Sequence, residues 1–210
     1  MQASIIRTIE SPCAHPNGLD WYENTLWVVC GDKRAFQLNP ANGEVLHSVQ
    51  TPGHAGVMYD GEYLWVVENP PPAIHKINPE TGDTVGTLTP TKPNPIGLAW
   101  DGKHIWCGEH HQGICKIDPS RDEILAQLPG QGDRTHDLAW DGECLWFVDT
   151  NLGMFYRMDI SNGEILASFP SPEDIEPHGL TWDGETLWYT EADGGRNLLH
   201  RLNISDTPAL

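Results

Sequence analysis

Two series of acidic and histidine side chains recur at fixed places in this chain, and their chemistry is the first thing the sequence offers. Three residues after a repeated Leu-Trp or Ile-Trp pair stand Cys30, Glu68, Glu109, Asp149 and Glu191. Just ahead of a repeated Gly-Leu-x-Trp stretch stand His15 with Asn17, His54, Asn94, His136 and His178, and His110 and His111 follow Glu109 directly. Carboxylate oxygen and imidazole nitrogen together make the donor set of a divalent metal ion, and also that of a general acid–base pair. Four carboxylates brought to one place repel each other, so they hold a cation, keep a proton or turn outward. If they hold a cation, Glu68, Glu109, Asp149 and Glu191 are its ligands. His136, His178 and His110 are then candidates to move the proton, while His15, Asn17, His54, Arg134 and Arg196 are candidates to contact substrate. In the competing reading each acid caps a loop or pairs with a nearby base such as Lys33, Arg34, Arg134 or Arg196.

Parity narrows the histidines. In an extended chain, residues two apart point the same way. His136 and His178 immediately precede their strands, and His15 and Asn94 lie two residues earlier, on the same side. His54 has the opposite parity. Of the neighbours His110 and His111 only one ring can turn inward, and His110 adjoins Glu109.

These residues need a scaffold that returns to the same place five times, and the sequence supplies one. GLDWYENTLWVVC, GVMYDGEYLWVVE, GLAWDGKHIWCGE, DLAWDGECLWFVD and GLTWDGETLWYTE begin at 18, 56, 97, 137 and 179. A period near 40 residues with four short strands per period predicts a β-propeller: all-β, five-bladed, with four antiparallel strands in each blade. The first strand of a repeat is Gly-Leu-x-Trp and the second starts at Leu-Trp. Asp-Gly between them, at 60–61, 101–102, 141–142 and 183–184, suits a two-residue hairpin turn with positive φ. The last repeat lacks its fourth strand. Residues 4–9, ahead of the first repeat, supply it and close the ring, which hides two sheet edges at once. Residues 1–210 then form one domain. All nine Trp fall on this frame and read as packing between blades. The turns that join first to second and third to fourth strands lie at one end. The acid and histidine series lie together at the other, where loops need only connect strands and unusual residues call for a function.

Composition sets limits. A net charge of −18 with only 12 Lys and Arg excludes a nucleic-acid backbone as partner. No run approaches the roughly 20 apolar residues of a membrane span, and the first ten residues do not resemble a signal peptide. Five cysteines, an odd number with no Cys-x-x-Cys pair, read as reduced thiols in a cytoplasm, Cys107 and Cys115 included. The oligomeric state is left open.

The repeat resembles known propeller families. LWYTE after GLTWDG is similar to the streptogramin B lyase repeat, which implies a divalent metal and a His base at the channel mouth. PNGLDW at 16–21 resembles the gluconolactonase group, which implies a metal-ligand role for Asn17. Five blades with GLxWDGxxLW resemble plant-type glutaminyl cyclases, which implies a Glu proton shuttle near Trp. The expectation is a divalent-metal-assisted lyase or hydrolase acting on a small molecule. The alternatives are a non-catalytic ligand- or protein-binding propeller and a metal-free, cyclase-like aminoacyl cyclisation.

Overall fold

The computed structural model describes residues 1–89, 94–111, 113–192 and 195–205. It is a five-bladed propeller of five four-stranded antiparallel sheets. The chain starts with β1 (Gln2–Glu10). Blade 1 is β2 (Pro16–Tyr22), β3 (Thr25–Cys30), β4 (Arg34–Leu38) and β5 (Val45–Gln50). Blade 2 is β6 (Val57–Tyr59), β7 (Leu64–Glu68), β8 (Ala73–Ile77) and β9 (Thr84–Leu88). Blade 3 is β10 (Pro95–Trp100), β11 (Ile105–Glu109), β12 (Gly113–Asp118) and β13 (Glu123–Leu128). Blade 4 is β14 (Thr135–Trp140), β15 (Leu145–Asp149), β16 (Met154–Met158) and β17 (Ile165–Pro170). Blade 5 is β18 (Pro177–Trp182), β19 (Leu187–Glu191) and β20 (Leu198–Ser205), completed by β1 in the sheet order β1-β20-β19-β18. The closing strand is therefore longer than the 4–9 read from sequence. It runs in register from Gln2 opposite Ser205 to Glu10 opposite Leu198, with one irregularity between Ile5 and Arg7.

The core is five clusters, one at each blade interface, and a second-strand Trp carries each. Trp27 packs toward Val57, Leu64 and Val66 of the next blade, and Trp65 toward Leu98, Ile105 and Cys107. Trp106 meets Leu138, Leu145 and Phe147, and Trp146 meets Leu180, Leu187 and Tyr189. Trp188 meets Leu19, Leu26 and Val28 of blade 1, which closes the circle.

The Asp-Gly turns differ from the expected two-residue hairpins. In each, the Asp Oδ1 accepts amide N–H groups two and three residues on, and its Oδ2 accepts the indole N–H of the Trp five residues on. The indole distances are 2.7 Å for Asp60 and Trp65, 3.0 Å for Asp101 and Trp106, 3.0 Å for Asp141 and Trp146, and 2.9 Å for Asp183 and Trp188. Only the Gly takes positive φ, +99° at Gly61. The Asp is there to cap a four-residue loop and to satisfy a buried indole, so the turn and the core share one side chain. Blade 1 has no Asp-Gly, and there Glu23 and Asn24, with φ of 45° and 64°, make the two-residue turn.

The cysteine reading also changes. Cys107 and Cys115 face each other across β11 and β12 and remain thiols. Cys13 and Cys30 are disulfide-bonded, with Cα atoms 6.3 Å apart. The cause is the path of the chain before β2. Gly31 donates its N–H to the His15 carbonyl at 3.0 Å, which lays the segment containing Cys13 against the end of β3. The bond removes the premise for placing the chain in a reducing compartment.

Candidate functional site

The five first strands crowd the axis. A Cβ added at Gly18 would lie 2.5 Å from the Ala55 carbonyl oxygen, and one at Gly56 2.5 Å from that of Ile96. Glycine is demanded by this approach of backbones. The fifth blade-start position holds Asp137, and its carboxylate fills the space at the axis. Oδ2 accepts N–H from Leu19 at 3.2 Å and Leu180 at 2.9 Å, and Oδ1 accepts N–H from Leu98 at 3.0 Å. Three blades thus hand the amides of their inner edges to one fully buried side chain. Burial pushes the Asp137 pKa well above the ordinary carboxylate value, against the pull of the amides of Leu180, Leu19, Leu138 and Leu98.

One residue above this plug sit His136 and His178, 4% and 7% exposed. Nδ1 of His178 lies 3.3 Å from Nε2 of His136, and the ring centroids are 4.7 Å apart at 75°. On the other side of His178, Nε2 faces Glu176 Oε1 at 4.0 Å. Nδ1 of His136 is buried without a hydrogen-bond partner. Burial, and then the charges of His178, Arg134 and His110, hold the His136 pKa well below 6.5. His110 is half-buried and bridges to Arg134. Its pKa is lowered by burial, then by Arg134 and His111. His111 points to solvent. Arg134 keeps its Nε buried and unpartnered. His54 has an unpartnered, buried Nδ1, and its carbonyl accepts the Asn17 side chain at 2.8 Å. His15 is exposed, with its N–H given to Asn197 Oδ1 at 2.8 Å.

The carboxylates expected to ring the mouth do not assemble there. Each stands at the end of a second strand on the face opposite its Trp, and Glu68 and Glu191 turn toward the third-strand residue two beyond their cross-strand partners. Glu68 accepts from His75 Nε2 at 3.0 Å and from Lys33 Nζ at 3.3 Å, and the His75 bond holds its pKa below the usual value. Glu191 is bound by Arg196 Nε at 2.8 Å and by His200 at 3.0 Å. Asp149 is a loop cap, taking the amides of Arg134 and Leu152 at 3.0 Å each. Glu109 is 1% exposed beside Cys115. Neither of its oxygens has a hydrogen-bond partner, and burial raises its pKa. Among the described residues no group of three or more His, Cys, Asp or Glu is placed to hold an ion. Two nitrogens 3.3 Å apart could share one ion, but the acids meant to complete its shell are engaged elsewhere or covered.

The sequence reading passed over two features of this site. One is Asp137, visible as the single acid in a slot that is Gly in the other four repeats. The other is Glu176, two residues ahead of His178 and on its side of an extended chain.

No family model matches the sequence, and no curated protein is significantly similar to it. Among solved structures, the chain is similar to the crystal structure of Myxococcus xanthus glutaminyl cyclase. The TM-score is 0.78 and the identity 13%, over 96% of each chain. It is also similar to a computationally designed protein, Ika8, with a TM-score of 0.53 and 14% identity over 87% of this chain and 57% of the other. At these identities the likeness is one of fold.

Proposed function

We propose that the upper mouth is an acid–base site acting on a small molecule, in a lyase or hydrolase reaction, with His136 as the base and His178 and Glu176 behind it. The observation that carries this is the bare, buried Nδ1 of His136. The Glu176 carboxylate favours the proton of His178 on Nε2. Nδ1 of His178 then accepts from Nε2–H of His136, which leaves Nδ1 of His136 as an unprotonated lone pair. An imidazole with a second polar group behind it is the arrangement that shares a proton taken in the transition state. A lone pair buried without a partner costs roughly 1–3 kcal/mol, a strain that a substrate proton would relieve. Arg134, beside the pair, supplies a positive charge for a carboxylate or a developing oxyanion. The nitrogen is covered in the free protein, so contact follows an opening of the mouth.

The carboxyl shuttle of a cyclase-like reaction finds less support at this mouth, because Glu109, whose pKa burial raises, is itself covered. The chemistry is therefore assigned to the histidines.

Turnover of a panel of lactones, esters and β-eliminable carbonyl compounds tests the proposal. His136→Ala should lower the rate about 100-fold or more with its melting temperature nearly unchanged, and Glu176→Gln about tenfold. The rate should stay level as pH falls past 6.5, because the base works unprotonated and its pKa lies well below that value. Saturable binding of small carboxylates without turnover of any of these compounds would replace the enzyme by a binding propeller.

A further inference from the structure

The opposite end of the channel holds a cavity of about 200 Å³ that the acid–base site does not use. Its wall includes the aromatic at the equivalent place of every first strand, Trp21, Tyr59, Trp100, Trp140 and Trp182, and its one inner-strand acid is Asp20. All five aromatics are only partly buried, unlike the second-strand Trp, which are sealed in the interfaces. All five also pack against the clusters at the blade interfaces, as the sequence reading of the Trp expects, and part of each lines the cavity as well. Asp20 stands where the other repeats have Met58, Ala99, Ala139 and Thr181, so the axis carries a single carboxylate at this level. Oδ2 accepts the Tyr59 N–H at 2.7 Å. Oδ1 has the Thr181 hydroxyl at 3.4 Å, a long contact that leaves acceptor capacity toward the cavity. Among the described residues no Lys or Arg lines this space.

We propose that this lower mouth binds an organic ammonium group, with its positive charge on Asp20 and its alkyl substituents against the ring of aromatics. The chemistry selects that ligand class. Aromatic rings attract a cation through their quadrupole and shed water from its methyl or methylene groups. An anion meets Asp20, Asp60 and the nearby Glu23 and Glu80. A bare divalent ion requires several oxygen ligands, and of the two carboxylates lining the cavity Asp60 is bonded to two amides and an indole. The volume equals that of on the order of six or seven waters, room for a compact ammonium head.

The site also has a built-in pH response. Burial pushes the Asp20 pKa up to about 7, against the Tyr59 and Trp21 amides and the Thr181 hydroxyl. A cation must find the carboxylate ionised, so binding expels a proton at lower pH. Affinity should rise about tenfold per pH unit on approaching pH 7 and level off above it. The other titratable groups at or near the mouth are Asp60, tied to the Trp65 indole, Glu23 and Glu80, and Tyr22 and Tyr59, whose pKa values are raised, first of all by burial.

Calorimetric titration of the intact protein with tetramethylammonium, and with uncharged tert-butanol as the size-matched control, is the test. Tetramethylammonium should bind at one site, and tert-butanol at least about tenfold more weakly. Asp20→Asn keeps an oxygen for the Tyr59 amide and should weaken tetramethylammonium about tenfold while removing the pH dependence. Trp140→Leu should weaken it at unchanged pH dependence, which keeps the test valid if the Asn variant folds poorly. His136→Ala should bind as the parent does. Equal affinity for tert-butanol, no saturable binding, or parent-like binding by both lower-mouth variants would overturn the proposal.

Discussion

Removal of β1 is expected to abolish cooperative unfolding. Eight residues of β1 pair with β20, and the strand contributes to two interfaces. Ile9 is buried with Leu19, Trp188 and Leu199 between blades 5 and 1, while Ala3 and Ile5 pack on the cluster between blades 4 and 5. At about 0.5–1 kcal/mol per paired residue the ladder alone is worth about 4–8 kcal/mol, comparable with the whole net stability of a domain. Deletion also bares the edge of β20, and an exposed edge recruits other chains. A protein lacking residues 2–10 should therefore unfold over a broad, shallow urea transition, or aggregate. A synthetic peptide of the missing segment should restore a steep one by re-adding the strand. Unfolding by the truncated chain as steep as the parent's would show that the ring does not depend on this closure.

That closure was legible because the repeat counts strands: a last unit one strand short and a spare strand at the start leave one arrangement. The second-strand Trp were legible for a similar reason, since a large ring at a fixed place in every unit has to meet the next unit. The fate of the acids was harder to read. Glu68 and Glu191 share a strand position, and the residues that bind them, His75 and His200, share another. Each series was visible by itself. What links them is the antiparallel register, Glu68 opposite Ala73 and Glu191 opposite Leu198, which carries the acid toward the third strand instead of the axis. The Cys13–Cys30 bond depends on a loop path with no periodicity, and the sequence had no means to show it. The His136–His178 contact lay between these cases. Equivalent positions in adjacent blades predict that the two rings face one mouth, but the 3.3 Å approach and the bare nitrogen come from three-dimensional packing.

Asp137 gives the sharpest conflict between the repeat and the site, and its replacement should have the largest effect of any single substitution. Four of the five repeats begin with Gly at this slot, so Asp137→Gly restores the repeat's own preference, a kind of change that commonly stabilises a protein. Here it should do the opposite. The ring of first strands presents unpaired amides to the axis, and Leu19, Leu98 and Leu180 give theirs to the two oxygens of Asp137. Gly or Ala at 137 orphans all three. Each buried donor without a partner costs about 1–3 kcal/mol, which puts the loss at roughly 5 kcal/mol, somewhat less where water enters the space. Asp137→Asn retains one oxygen and turns an amino group toward the remaining donor, so it should cost about 1–3 kcal/mol. The expected order of stability in urea unfolding is wild type, then Asn, then Ala and Gly together. The change should also reach the function, because His136 is the preceding residue and stands directly above the plug. Were Asp137→Gly as stable as the parent, the carboxylate would not be what satisfies the inner edges of the blades, and the rigid floor beneath the histidine pair would need another origin.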